Sequence, residues 1–192
     1  WPTRPATAHK WQTAVLVVGG SRTMTGAPCL AATAAARAGA GYVLVSVPGC
    51  DGPIDRLPIE AVARPVSLEW GSELVARLDR VGAVVMGPGL AVDAENLGQM
   101  RIVLAADVPL VVDAGAIDAV AENPGVLAGR RSLAVVTPHD GEFERLVGRR
   151  PGPDRLDAAR DAARQLGAVV VLKGPVTVVA HPDGRALLGM AG

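Results

Sequence analysis

Four polar segments of this 192-residue chain each follow an apolar run, and their side chains suit anions and protons. Thr137-Pro138-His139-Asp140-Gly141-Glu142 follows Leu133-Ala134-Val135-Val136, an apolar run stopped by Pro and Gly, which predicts a buried strand delivering a polar turn. Gly19-Gly20-Ser21, Gly87-Pro88-Gly89 and Lys173-Gly174-Pro175-Val176-Thr177 stand after apolar runs in the same way. In a parallel α/β sheet such turns lie at the carboxyl ends of strands, where ligands are held.

Each segment has a plain structural account beside its chemical one. The glycines of Gly19-Gly20 and Gly87-Pro88-Gly89 let the backbone approach a ligand, or simply let it turn. The first is no phosphate-binding P-loop, since no Gly-Lys-Ser/Thr closes it, and it lacks the full Rossmann glycine spacing. Asp113 ends the run Pro109-Leu110-Val111-Val112. Capping of the following helix is its expected role, with a hydroxyl or magnesium-water contact as the chemical alternative. His139 can donate to a phosphate or a substrate carbonyl, or pair locally with Asp140 or Glu142. Lys173 puts an ammonium at the end of the strand Ala168-Val169-Val170-Val171-Leu172, a costly place without an anion. A phosphate is its expected partner, with the Thr177 hydroxyl adding to the contact and snorkelling to solvent as the alternative. His9 and His181 are expected in solvent. No His, Asp or Glu spacing matches a zinc or metalloprotease motif.

Alternating elements must position these turns. Strands are expected over residues 14–18, 42–47, 83–86, 109–112, 133–136, 168–172, 176–180 and 185–188. Helices are expected over 26–38 (Ala-rich, with Leu30), 72–78, 93–105, 116–121, 142–147 and 154–166, the last with Arg155, Arg160 and Arg164 on its wet side. Residues 49–70 hold several prolines and little periodicity, and are expected to be mostly irregular. The alternation implies βαβ units in a mostly parallel sheet flanked by helices. Pro182-Asp183-Gly184 turns a C-terminal antiparallel hairpin.

Composition narrows the function classes. Hydrophobic residues make up 49% of the chain and aromatics 3%, so the core must be Ala, Val and Leu. Nineteen basic residues balance nineteen acidic ones, so no global field recruits nucleic acid or an anionic membrane. Cys29 and Cys50 cannot form a disulfide framework, and read as small hydrophobes in a reducing compartment. No apolar run reaches membrane-span length and no basic-then-apolar signal opens the chain, so a cytoplasmic protein is expected. Residues 1–8, with Trp1-Pro2-Thr3-Arg4-Pro5, read as a linker, and the Gly-rich ending at Gly192 reads as a domain cut short.

Taken in order, these motifs resemble the ATP- or ADP-dependent NAD(P)H-hydrate dehydratases of the ribokinase-like superfamily. The residues that carry the resemblance are His9-Lys10, Gly19-Gly20-Ser21, Met24-Thr25-Gly26-Ala27, Arg37-Ala38-Gly39-Ala40-Gly41, Gly87-Pro88-Gly89-Leu90, Asp113-Ala114, the His139 turn and Leu172-Lys173-Gly174. The resemblance covers residues 9–192 and implies a ribokinase-like α/β domain that is incomplete. It implies repair of hydrated NADH and NADPH, in their S epimer: a nucleotide with Mg2+ phosphorylates the added hydroxyl, and loss of phosphate restores the nicotinamide. It further implies that Ala27, Gly87, Gly89 and His139 line the hydrate pocket, and that Lys173, Gly174, Pro175, Val176 and Thr177 cradle ADP or ATP. No residue is implied as a protein ligand of a metal. An epimerase domain, fused or separate, and self-association are compatible with the family pattern.

The chain departs from that pattern at Trp11-Gln12, where a glycine is usual. It also departs at Asp113-Ala114-Gly115-Ala116-Ile117, which lacks a second carboxylate, and at Ala91, where a glycine is common. The family's Gly-Thr-Gly-Asp segment, with its catalytic base, is expected beyond Gly192, so the catalytic residue is unknown from this sequence. A small-molecule kinase of the same superfamily and a non-catalytic nucleotide-binding module are the alternative functions.

Overall fold

Hydrophobic alternation organises the fold. A computed structural model describes residues 6–7, 9–50 and 52–190, so the expected linker residues 1–5 and 8, and the ending 191–192, lie outside the described residues. The strands are β1 (Ala14–Val18), β2 (Tyr42–Ser46), β3 (Ala61–Ala63), β4 (Ala83–Met86), β5 (Leu110–Val112), β6 (Ala134–Val136), β7 (Val169–Leu172), β8 (Thr177–Ala180) and β9 (Ala186–Gly189). They form one sheet in the order β3-β2-β1-β4-β5-β6-β7-β8-β9. Pairing is parallel from β3 through β7 and antiparallel for β7 with β8 and β8 with β9.

The helices are α1 (Gly26–Arg37), α2 (Trp70–Val75), α3 (Ala94–Ala105), α4 (Gly115–Glu122), α5 (Asp140–Val147) and α6 (Arg155–Leu166). One sheet face carries Leu16, Leu44, Val84, Met86, Leu110, Val112, Val136, Val170 and Leu172, buried beneath residues of α2 to α6. The opposite face carries Val17, Val43 and Val45 under Ala31, Ala32, Ala35 and Ala36 of α1. Alanine lets α1 lie close to the valines, and each large apolar side chain buried in the first core adds roughly 2 kcal/mol. Two aspartates begin helices as caps: Asp93 Oδ1 accepts from Asn96 N at 2.8 Å, and Asp154 Oδ1 from Asp157 N at 3.0 Å. Gly148 and Gly167, both left-handed, end α5 and α6.

The sheet and its C-terminal hairpin match the sequence expectation, with local corrections. Residues 49–70 are mostly irregular, as expected, but they include the short strand Ala61–Ala63, paired in parallel with β2. Three residues at a sheet edge carry too short a pattern to register as periodicity. The helix expected over 72–78 starts at Trp70, because the Trp70 indole is buried and donates to Asn96 Oδ1 at 3.1 Å. Leu30 is exposed, since alanines supply the buried face of α1. Cys29 is buried, and Cys50 is only half-buried.

Candidate functional site

From β1 the chain steps outward to β2 and β3, then returns to the other side of β1 and proceeds through β4, β5, β6 and β7. The order therefore reverses between β1 and β4, the position where open α/β sheets hold ligands. Gly19-Gly20 follows β1 and Gly87-Pro88-Gly89 follows β4, so both glycine turns stand at the reversal. Gly20 N donates to Pro88 O at 2.7 Å and locks the two together. Gly89 has φ +74°, and a side chain there would meet Ala27 and Gly20 at 3.3 Å. Ala27 and Gly89 thus adjoin. Gly87 has φ +119° and turns the other way, against Asp113 and Ala116.

The next three carboxyl ends meet in one ionic network. Asp113 Oδ1 accepts from Thr137 Oγ1 at 2.6 Å and from Lys173 Nζ at 2.9 Å. Lys173 Nζ also lies 3.6 Å from Glu142 Oε2, on a carboxylate whose side chain is 8% exposed. Lys173 N donates to Pro138 O at 2.8 Å, tying the loop after β7 to the turn after β6. Arg155 clamps the same loop: its Nη2 donates to Lys173 O at 2.8 Å and its Nη1 to Asp140 Oδ1 at 2.7 Å. A Cβ on Gly174 would lie 2.6 Å from Arg155 Nη2, so only glycine lets the guanidinium rest there.

His139 caps α5. Its Nδ1 accepts from Gly141 N at 3.0 Å and Glu142 N at 3.3 Å, while Glu142 Oε2 accepts from His139 N at 2.8 Å. With Nδ1 accepting, the hydrogen-bond pattern assigns the ring proton of the neutral imidazole to Nε2. Nε2 lies 3.5 Å from Glu142 Oε1 on a half-exposed ring, and is the atom left to donate outward.

Three expectations change. Asp113 does not cap α4: the cap is Ala114, without a side-chain hydrogen bond and with φ +47°. The Asp113 carboxylate is drawn instead to Thr137 and Lys173, from strands distant in sequence. Lys173 has its counter-charges within the chain, so burial alone does not demand a phosphate. Its ammonium carries three N–H groups and two carboxylates face it, which leaves one donor for an anion. Arg155 leaves the wet side of α6 and turns to the loop after β7, with its side chain 21% exposed.

Of the other expected nucleotide residues, Pro175 and Val176 continue the Gly174 turn and Thr177 opens β8. Two strands separate β4 from β7, so the Gly89 and Lys173 turns stand roughly 14 Å apart at about 4.8 Å per strand. Among the described residues no group of three His, Cys, Asp or Glu is placed to hold a metal. His9 caps the short turn Lys10–Thr13, and His181 lies 3.0 Å from Asp183 in the hairpin turn. Sequence reasoning passed over Arg22 and Ser67, which line a cleft of about 610 Å³ with Gly49, Val66 and Leu68. No periodicity marks them, because they come from two loops. Among the described residues no helix is long and apolar enough to cross a membrane.

The family model described as NAD(P)H-hydrate dehydratase matches residues 15–192. The bifunctional NAD(P)H-hydrate repair enzyme Nnr of Mycobacterium tuberculosis is 38% identical over 193 residues, covering 100% of this chain and 39% of that protein. Its counterpart from Moorella thermoacetica is 40% identical over 205 residues, with the same coverage of 100% and 39%. The chain thus spans about two-fifths of the length of these curated relatives. The ADP/ATP-dependent NAD(P)H-hydrate dehydratase from Bacillus subtilis, co-crystallised with ATP and Mg2+, superposes with a TM-score of 0.81 at 32% identity, over 100% of this chain and 69% of that one. A ribokinase-like superfamily protein from Enterococcus faecalis superposes with a TM-score of 0.82 at 26% identity, over 97% of this chain and 66% of that one.

Proposed function

Because this chain belongs to the NAD(P)H-hydrate dehydratase family, we propose that it carries the nucleotide-dependent step that returns the S epimer of hydrated NADH or NADPH to the reduced nicotinamide. The reading assigns the phosphoryl group of ADP or ATP, brought with Mg2+, to the hydroxyl that water has added to the ring. Loss of that phosphate with a ring proton restores the double bond. Ala27, Gly87, Gly89 and His139 would take the hydrate, with His139 Nε2–H as the donor. Lys173, Gly174, Pro175, Val176 and Thr177 would take the nucleotide, with the remaining Lys173 N–H on a phosphate. The magnesium would be held chiefly by nucleotide oxygens, the usual arrangement for Mg2+ at phosphates.

The observation that carries the reading is the union of the Lys173 loop with the His139 turn through Lys173 N to Pro138 O and Lys173 Nζ to Glu142. It joins the proposed nucleotide loop to the proposed hydrate turn at neighbouring strand ends. The relatives named as bifunctional support an epimerase domain in the whole protein, and their greater length leaves room for the expected Gly-Thr-Gly-Asp segment. The buried Cys29 thiol, unpaired among the described residues, supports a cytoplasmic site.

The test is recovery of reduced-nicotinamide absorbance from NADHX with ADP or ATP and Mg2+, using the whole protein. Nucleotide-dependent recovery is expected. Phosphorylation of a vitamin or sugar hydroxyl without recovery would replace the reading with a kinase, and nucleotide binding without turnover of either would replace it with a binding module.

A further inference from the structure

A second cleft, of about 440 Å³, runs along the β2–β3 edge of the sheet and is used by none of the chemistry above. Its volume falls within the range of small-molecule sites. Trp11, Tyr42 and Val81, which precede β1, open β2 and precede β4, form one side. Arg64, just past the edge strand β3, and Arg77 and Arg80, just past α2, form the other. Leu44, Val62 and Ala76 supply apolar surface.

The aromatic side is built rather than incidental. His9 N donates to Gln12 Oε1 at 2.9 Å, closing the turn that carries Lys10 and Trp11. A Cβ on Gly41 would lie 2.7 Å from Lys10 O, so glycine is what lets the turn sit against β2. The Trp11 and Tyr42 rings stand 4.5 Å apart, with Lys10 Nζ 5.6 Å and 5.1 Å from their centroids.

The cationic side is under-neutralised. Arg64, Arg77 and Arg80 are set against two carboxylates, Glu73 and the cleft-lining Asp79, whose contacts to Arg77 and Arg80 are loose at 3.5 Å and 3.8 Å. Arg64 makes no ion pair or side-chain hydrogen bond among the described residues, while its backbone is held by N to Val45 O and by Ser46 Oγ to Arg64 O. Burial, and then the neighbouring Arg77, push its guanidinium below the usual arginine range, against the opposing pull of Glu73 and Asp79.

We propose that this cleft is a second ligand site for a mononucleotide-sized phosphate ester, its phosphate on Arg64 and Arg77 and its planar base on the apolar wall beside Trp11 and Tyr42. Guanidinium forks match phosphate oxygens in pairs, and rings flanked by cations suit a planar group. The site stands apart from the proposed nucleotide loop and does not depend on the dehydratase reading.

The test is NMR of backbone amides and arginine Nε–H groups in the full chain, titrated with AMP and separately with inorganic phosphate at constant ionic strength. AMP is expected to shift Trp11, Tyr42 and Arg64 along their own saturation curve, distinct from that of Gly174, with phosphate binding more weakly. Arg64→Gln should weaken the first response by roughly ten- to a hundred-fold, the worth of a charge-assisted hydrogen bond, and leave the Gly174 response unchanged. Trp11→Leu should abolish the preference for AMP over phosphate while the rest of the spectrum is retained. The proposal is overturned if AMP shifts only the Gly174 region, if Arg64→Gln changes nothing, or if phosphate binds as well as AMP, which would mean an adventitious ion only.

Discussion

Gly87 and Gly89 occupy one turn, yet the geometry predicts very different responses to an added methyl group. A Cβ on Gly87 would overlap the Asp113 carbonyl oxygen outright, with Ala116 Cβ 2.8 Å away. That carbonyl cannot easily retreat, because it accepts from Ala116 N at 3.1 Å while Asp113 N donates to Met86 O at 3.0 Å. Adding about 1–2 kcal/mol for φ +119° in a non-glycine residue to about 1–3 kcal/mol for overpacking against backbone gives a cost near 4 kcal/mol for Gly87→Ala. For Gly89→Ala the neighbours stand at 3.3–3.4 Å and can give slightly, so the φ +74° penalty dominates and the cost is about 1–2 kcal/mol. With a urea slope of about 2 kcal/mol per M, the two unfolding midpoints should separate by roughly 1 M, with Gly87→Ala the lower. Midpoints that coincide would refute the close packing of the β4 turn on the β5 turn. In the proposed function Gly89→Ala also carries a readout in NADHX turnover, since its methyl would press on Ala27 and Gly20.

His139→Asn keeps a capping side chain but loses the Nε2 donor, whereas His139→Ala loses both. Thermal unfolding should show only His139→Ala destabilised, by about 1 kcal/mol, while both variants weaken hydrate binding; unimpaired binding by His139→Asn would remove the donor role. Lys173→Met leaves Asp113 and the buried Glu142 without their shared cation. Expected in calorimetry and denaturation are nucleotide affinity weakened about ten-fold and stability lowered by about 1 kcal/mol, the latter kept small by the exposure of the ammonium; unchanged affinity would discard the Lys173 assignment. Ala114→Gly relieves φ +47° ahead of α4 and should raise stability by about 1 kcal/mol in the same assay, a loss instead showing that the strain is not there. Asp183 is held down to about 2, first by the Arg185 backbone N–H and also by the His181 and Arg185 side chains. Since its folded value lies below its unfolded one, its contribution is complete above about pH 4 and is lost as the pH falls toward 2. Carbon-detected NMR should place the Asp183 midpoint in that window, and a midpoint at the ordinary aspartate value would exclude the hairpin contacts.

How much was legible in the chain follows from the range of the forces involved. Apolar runs and helix-ending glycines act within a few residues, so β1, β4, β7, α3, α5 and α6 could be read directly, and with them a mostly parallel sheet ending in a hairpin. The polar turns were legible for the same reason, including the local pairing of His139 with Glu142. What lay outside that range was decided by tertiary structure. The sheet order alone put Gly19-Gly20 beside Gly87-Pro88-Gly89 at the strand reversal, and it alone turned Gly87 toward Asp113 and Gly89 toward Ala27. Asp113 and Lys173 are sixty residues apart in sequence, and their ion pair exists only because β5 and β7 flank β6. A carboxylate after a strand looks like a helix cap until the lysine from another strand arrives. An arginine on a helix looks solvated until the loop it clamps is folded against it, as with Arg155 and Gly174. Local sequence determined which turns could bear chemistry; long-range packing decided which of their charges face one another.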